Sequence, residues 1–419
     1  MQKIVLIASA ALCFGNVVAQ TLTPGINLSY IDSSANPRND IYKFANGKWL
    51  NTQKIPASDG SWGSFNEINE CNVANLKALM LEVSKDTKAL PGSDNQKLRD
   101  FYLTAMDSVK ADKDGIKPIS GDLAAIDLIK TKDELLKTTA MLNKKGVGGM
   151  LGFYVYSDFK NSNANTCYLA QSGLGLPDKD FYFEPQYESV KKEYIEHIAR
   201  MFECLGNYPE SAKANAAIVM KIETELAKNS QNAVEQRDPQ KQYNPFTKAE
   251  LVKLTPNINW NIYFATIGIK TPENLVLNQP KYYEGLNTLI NSISIAEWKV
   301  FLKWNLMQTA APYLSSKFVN ESFKFQGTVL AGKKEMKPRY KRVQGATDEA
   351  LGEILGKLYV NKYFDANSKK KVNEMVDNLI AAYRVRINSR DWMSAETKAQ
   401  AQLKLDKIIK NELCSVDIL

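Results

Sequence analysis

Apolar residues recur at helical spacing along most of this chain, and that recurrence limits what it can fold into more than any other feature. Val372, Met375, Val376, Leu379, Ile380 and Tyr383 follow the i, i+3, i+4, i+7, i+8, i+11 rule, which sets them on one stripe of a helix. Such a stripe is expected to be a buried face, with Ser368 placed to cap the helix start. A second helix is expected from Ser394 as N-cap and Glu396 in the first turn, with Ala401, Leu405, Ile408 and Ile409 on one side. Comparable stretches run from Val73 to Val83, Gln96 to Met106, Asp133 to Asn143, Val190 to Leu205, Ala212 to Ala227 and Ile295 to Leu306. Strand candidates are few, at Gly152 to Tyr156 and Leu275 to Leu277. The spacing therefore predicts a mainly α, multi-helical fold with few short strands. Turn-rich connections such as Leu90-Pro91-Gly92-Ser93 and Gln236-Arg237-Asp238-Pro239 separate the helices, because proline disfavours helix in the residue before it.

Composition excludes much chemistry. The 419 residues hold one histidine, His197, so neither a two-histidine metal motif nor a catalytic arrangement needing two histidines is available. Glu193-Tyr194-Ile195-Glu196-His197 looks like an inverted zinc motif with glutamate in place of its first histidine. It is read as an incidental histidine on a surface or partly buried helix, since no further ligands are evident. No G-x-S-x-G and no phosphate-binding G-x-x-x-x-G-K-[ST] occurs. The net charge of +8, from 54 basic and 46 acidic residues, is mild for this length. Runs such as Lys333-Lys334 and Lys369-Lys370-Lys371 are read as solvated helix faces, and no nucleic-acid partner is expected.

The first residues read as an export signal: Lys3, an apolar run from Ile4 to Phe14, and Val17-Val18-Ala19 before Gln20. The run is about half the roughly 20 residues a spanning helix needs, so cleavage after Ala19 and no stable membrane span are expected. The expected organisation is a signal peptide at 1–19, a flexible lead-in at 20–38, one long helical domain at 39–410 and a divergent tail at 411–419. The location expected is periplasmic, cell-envelope or extracellular. Cys71, Cys167, Cys204 and Cys414, the cysteines left after cleavage, are too irregularly spaced for a disulfide framework or a metal knuckle. The mature length allows a sizeable core, in two lobes.

Several segments are more idiosyncratic than helix periodicity requires. Asp40 to Leu50 reads DIYKFANGKWL, followed by Ile55-Pro56 and Trp62-Gly63-Ser64-Phe65; Leu174 to Tyr182 reads LGLPDKDFY. Then come Tyr243-Asn244-Pro245-Phe246-Thr247, Pro338-Arg339-Tyr340-Lys341-Arg342, Leu355-Gly356-Lys357-Leu358-Tyr359-Val360, and Trp392-Met393-Ser394-Ala395-Glu396-Thr397-Lys398. In this order and spacing they resemble the N-terminal domain of the neprilysin-like zinc metalloendopeptidases, which include the neprilysin, endothelin-converting enzyme and bacterial oligopeptidase types. Read from physical chemistry alone, Tyr42, Phe44 and Trp49 pack into core, Asn46-Gly47 makes a turn, and Gly175 and Pro177 shape a bend that buries Phe181 and Tyr182. Arg339 and Arg342 either hold a carboxylate or tie helices together, the second being the reading taken.

The resemblance implies a domain that covers a catalytic one and encloses a chamber for peptides of limited size. The family's catalytic parts are an Asn-Ala-Phe-Tyr strand, a His-Glu-x-x-His zinc helix and a Glu-x-x-x-Asp downstream of them; the first two do not occur in these residues, so nothing stands here as the third. No catalytic, substrate-binding or metal residue is therefore assigned. Zinc is implied for full-length members and no cofactor for this chain, with peptide substrates as partners only where a catalytic domain is present. The family's helix ending in Lys-Ile continues with Gly-Tyr-Pro, whereas Lys407-Ile408-Ile409-Lys410 runs into Asn411-Glu412-Leu413-Cys414. That ending reads as a truncated or frame-shifted product. Arg38 and Asn46 replace cysteines of animal members, and Ser61 and Asn69 stand where some carry carboxylate-binding arginines. The expected function is an N-terminal peptidase domain inactive alone; the alternative is a non-catalytic helical peptide-binding or scaffolding protein of the cell envelope.

Overall fold

A computed structural model describes residues 27–410; the expected signal peptide and the tail from 411 lie outside them. The chain divides into two compact units, Met1–Pro56 and Ala57–Leu419.

In the first unit, Asn27 caps a 3-10 turn at Leu28–Tyr30, and Asp40 caps helix α1 (Ile41–Thr52) by accepting the Lys43 N–H at 2.8 Å. The expected turn at Asn46-Gly47 does not form, because α1 runs straight through it. Gly47 is small for another reason: a Cβ there would lie 2.6 Å from Asp32 Cβ, so the glycine lets the preceding loop cross the helix. Of the three aromatics expected in core, Phe44 and Trp49 are half-buried, Trp49 with its ring centroid 6.4 Å from Tyr30, while Tyr42 is exposed. The correction has a geometric cause. A single helix over one short turn has only one covered side.

The second unit opens with α2 (Ser64–Ser84), α3 (Asp94–Met106), α4 (Ser108–Asp114), α5 (Ser120–Asp127) and α6 (Lys132–Lys144). Strands β1 (Gly152–Ser157) and β2 (Asn165–Ala170) follow, then α7 (Asp180–Phe183), α8 (Glu188–Leu205) and α9 (Pro209–Asn229). The middle is β3 (Asn244–Thr247), α10 (Lys248–Leu254), α11 (Trp260–Ile267), β4 (Asn274–Leu277), α12 (Pro280–Ser292), α13 (Ile295–Ala310) and α14 (Ser316–Ser322). After a π-helical stretch at Phe323–Leu330 come α15 (Arg339–Tyr363), α16 (Ala366–Asn388) and α17 (Ala395–Asp406).

All six amphipathic stretches noted above are helices, several with complete caps. Thr131 and Glu134 form a reciprocal capping box on α6, as do Ser294 and Glu297 on α13. The sheet order is β1-β2-β4-β3, with β1/β2 and β3/β4 antiparallel and β2/β4 parallel. Strands β2 and β3 were not expected. Pro245 argues against a strand in sequence, yet β3 is an edge, where a missing N–H costs no ladder bond.

Two apolar clusters form within this unit. The larger joins α6, α8, α9, α11, α12 and α13 around Trp260, Trp298, Trp304 and Phe202; the smaller joins α2, α3 and α15 through Met80, Leu98, Tyr102, Val343 and Leu355. Inside the larger cluster sits a carboxylate, Glu223 on α9, fully buried. Its Oε2 accepts from Tyr182 Oη at 2.7 Å, and its Oε1 accepts from Tyr194 Oη at 2.9 Å and Trp304 Nε1 at 3.2 Å. The Gly175 N–H also faces it. Gly175 has no room for a side chain, since a Cβ would fall 1.8 Å from Tyr194 Oη. The LGLPDKDFY segment thus makes the expected bend, with Tyr182 buried and Phe181 half-buried.

Burial raises the Glu223 carboxyl to about 7 against the opposing hydrogen bonds of Tyr182, Tyr194, Gly175 and Trp304, and no cation pairs with it among the described residues. A carboxyl raised on folding holds its proton more tightly in the native state. It therefore contributes stability below about pH 4.5 that is lost as pH rises through about 7, an upper limit of about 3 kcal/mol. Thermal melting against pH should show this decline in the wild type and a flatter profile in Glu223→Gln. Parallel profiles would remove Glu223 from the account. Gly175→Ala should cost about 1–3 kcal/mol by overpacking, read from the denaturation midpoint.

Candidate functional site

A cleft of about 980 Å³ opens where the two clusters meet. Helices α3 and α15 of the smaller cluster supply Phe101, Ala105, Arg339, Arg342 and Leu351, while α4 supplies Lys110 and Asp114. Pro118 and Pro312-Tyr313, beside the larger cluster's Ile119 and Ala311, close the far side. Seams between packed units are where concave sites tend to form. Leu351 leaves helical geometry at φ −136° and ψ 29°, so α15 bends at the cleft wall.

Arg339 is a tie, as the sequence reading had it. Its Nε and Nη2 donate to the Ala105 carbonyl at 2.9 and 2.6 Å, joining the start of α15 to the end of α3. Arg342 Nε donates to the Lys337 carbonyl at 3.2 Å. Lys341 reaches Glu70 on α2 at 2.5 Å, and Lys110 reaches Asp114 at 2.6 Å. Sequence singled out the Pro-Arg-Tyr-Lys-Arg run but gave no signal for Phe101, Tyr313 or Leu351, whose roles come from long-range packing.

His197 is not incidental. It is fully buried, its ring stacks on Phe325 with centroids 4.9 Å apart, and Nδ1 lies 2.9 Å from Glu321 Oε1. Burial pushes the imidazole below its usual range, while hydrogen bonds from His197 and Arg200 hold Glu321 down despite its own burial. A neutral ring facing an ionised carboxylate must donate from Nδ1. Glu193, four residues earlier, takes no part in this pair. Zinc, implied for longer proteins of this kind, finds no donor set here: among the described residues no three His, Cys, Asp or Glu side chains group to hold a metal ion. Cys71, Cys167 and Cys204 are free thiols.

An apolar open surface lies on α16. Val372, Met375, Leu379 and Tyr383, expected to be buried, are 42%, 56%, 52% and 60% exposed. The helix forms as the period demands, but Asp365 rather than Ser368 is its cap, accepting the Ser368 N–H at 2.7 Å. Helix α17 begins at Ser394 as expected and buries Leu405, but ends at Asp406, leaving Ile408 and Ile409 exposed. It joins α16 through polar bonds such as Arg384 to Asp406 at 2.6 Å, and of the six stripe residues only Val376 and Ile380 are half-buried.

A family model described as peptidase family M13, N-terminal part, matches residues 37–412. The chain belongs to peptidase family M13. Endothelin-converting enzyme 1 of Homo sapiens is 28% identical over 399 residues, covering 91% of this chain and 50% of the relative. The neutral endopeptidase of Lactobacillus helveticus is 26% identical over 384 residues, covering 90% of this chain and 58% of its own length. Among solved structures, the zinc metalloprotease Zmp1 of Mycobacterium tuberculosis in complex with inhibitor superposes with a TM-score of 0.86 at 33% identity, covering 91% of this chain and 58% of that one. The chain spans about half the length of the curated relatives it matches. No helix among the described residues is long and apolar enough to cross a membrane.

The open face of this M13 domain should make it self-associate at high concentration, with Leu379→Lys and Tyr383→Lys together weakening association several-fold. Sedimentation velocity measures this; a monomer at all concentrations in the wild type would contradict it.

Proposed function

We propose that this chain is the N-terminal, substrate-enclosing domain of an exported neprilysin-like zinc metalloendopeptidase, and that these residues alone do not hydrolyse peptides. The domain proper is 39–410, preceded by a signal peptide at 1–19 and a lead-in at 20–38, and followed by the tail at 411–419. The observation that carries the reading is the family match across 37–412 in a sequence without His-Glu-x-x-His. The uncovered stripe of α16 supports it too, because a domain built to pack on a catalytic partner presents apolar surface to that partner. Zinc and the attack of water on the peptide bond belong to that partner, while this domain restricts which peptides reach it.

Purified chain should hold no stoichiometric zinc after dialysis and should not cleave model peptides. Elemental analysis and a chelator-controlled peptide digest check both. One tightly held zinc per chain together with chelator-sensitive cleavage would overturn the proposal.

A further inference from the structure

The cleft between α3, α4 and α15 is lined by five basic and four acidic side chains, and the basic ones are paired unevenly. Lys110 is matched by Asp114 and Lys341 by Glu70. On the acidic side, Asp100 is held by Arg99 at 2.9 Å, and Asp107 accepts the Lys110 backbone N–H at 2.9 Å as the cap of α4. That leaves Lys97, Arg339 and Arg342 against Asp107, whose bond to a neutral N–H leaves its charge in place, and the exposed Glu349. Every hydrogen bond that Arg339 and Arg342 make among the described residues goes to a neutral backbone carbonyl, at Ala105 and Lys337. Neither guanidinium hydrogen-bonds a carboxylate, although the Asp112 carboxylate lies near enough to Arg339 to feel its charge.

Their position makes the uneven pairing more costly. Arg339, Lys341 and Arg342 occupy the first turn of α15, which has no acidic residue and no side-chain cap from Pro338. The positive end of a helix favours anions and disfavours cations. Burial and the neighbouring Arg339 already pull the Arg342 guanidinium below its usual range. Beside this cationic corner the wall is apolar, formed by Phe101, Pro118, Pro312, Tyr313 and Leu351. An occupant must therefore offer one anionic group and an apolar body that fits about 980 Å³.

We propose that this cleft binds an amphipathic carboxylate, whose head lies against Arg339 and Arg342 and whose apolar body packs on Phe101, Tyr313 and Leu351. Guanidinium matches a carboxylate with paired parallel hydrogen bonds, and Arg342 Nη1 and Nη2 make no other bond among the described residues. Two sources carry this chemistry: the free C-terminus of a short apolar peptide, and a medium-chain fatty acid. Every residue that lines the site lies in this chain.

The test is titration calorimetry on the full chain with four probes: N-acetyl-Phe-Leu, its C-terminal amide, decanoate and decanol. At least one carboxylate should bind at least about tenfold more tightly than its neutral counterpart, since a charge-assisted pair is lost. Preference for the dipeptide acid assigns the peptide source, preference for decanoate the fatty-acyl source, and binding of both the shared chemistry. Arg342→Gln should abolish the preference, and Lys113→Gln, outside the cleft lining, should keep it. Because the acid and neutral probes are compared on the wild type, the result stands even if Arg342→Gln folds poorly, and Ala346→Trp gives a second variant that fills the cleft. Equal affinity for acids and neutral probes, or no binding of any, overturns the proposal, as does a folded Arg342→Gln that keeps the preference.

Discussion

One buried carboxyl group gathers the larger half of this domain. Glu223 receives Tyr182 from α7, Tyr194 from α8, Trp304 from α13 and the backbone of the Gly175 bend, so four separate pieces of chain are registered against α9 by one side chain. Losing a donor in so buried a site costs more than losing one at the surface, because the acceptor's desolvation is no longer offset. The glycine at 175, the tyrosine at 182 and the tryptophan at 304 are therefore parts of a single constraint, although the tryptophan lies more than a hundred residues from the other two.

The helices were legible because burial of one face imposes a period that sequence displays directly. Ser394 at the start of α17 and the strands at Gly152 and Leu275 were legible for similar local reasons. What failed was anything set by a neighbour distant in sequence. Gly47 reads as a turn but serves a crossing loop at Asp32, and the segment around Pro245, with no strand period of its own, stands on a sheet edge. The stripe on α16 was read correctly as apolar and wrongly as buried, since periodicity reports which face wants cover and not whether cover is present. His197 reads as incidental until Glu321, more than a hundred residues on, is brought against it. Of the cleft, only the arginine run could be seen in advance.

Membership of family M13 gives these observations a common frame. The fold superposes on the Zmp1 structure over nearly the whole of this chain but little more than half of that one. The core and the Glu223 cluster find their partners within these residues, whereas the α16 stripe stays largely uncovered.

The sheet carries a consequence for how the chain reaches this state. Strands β1 and β2 form a local hairpin, but β2 pairs in parallel with β4, through Tyr168 with Val276 and Leu169 with Leu277. Five helices and β3 lie between them. Parallel pairing across so long a segment demands a large loss of chain entropy before any ladder bond forms. During synthesis the inner edge of β2 stays open until residues 274–277 have emerged, after α8 and α9 are already available to pack. The topology thus makes the four-stranded sheet wait for its most distant member, while the β1/β2 hairpin needs only its own residues.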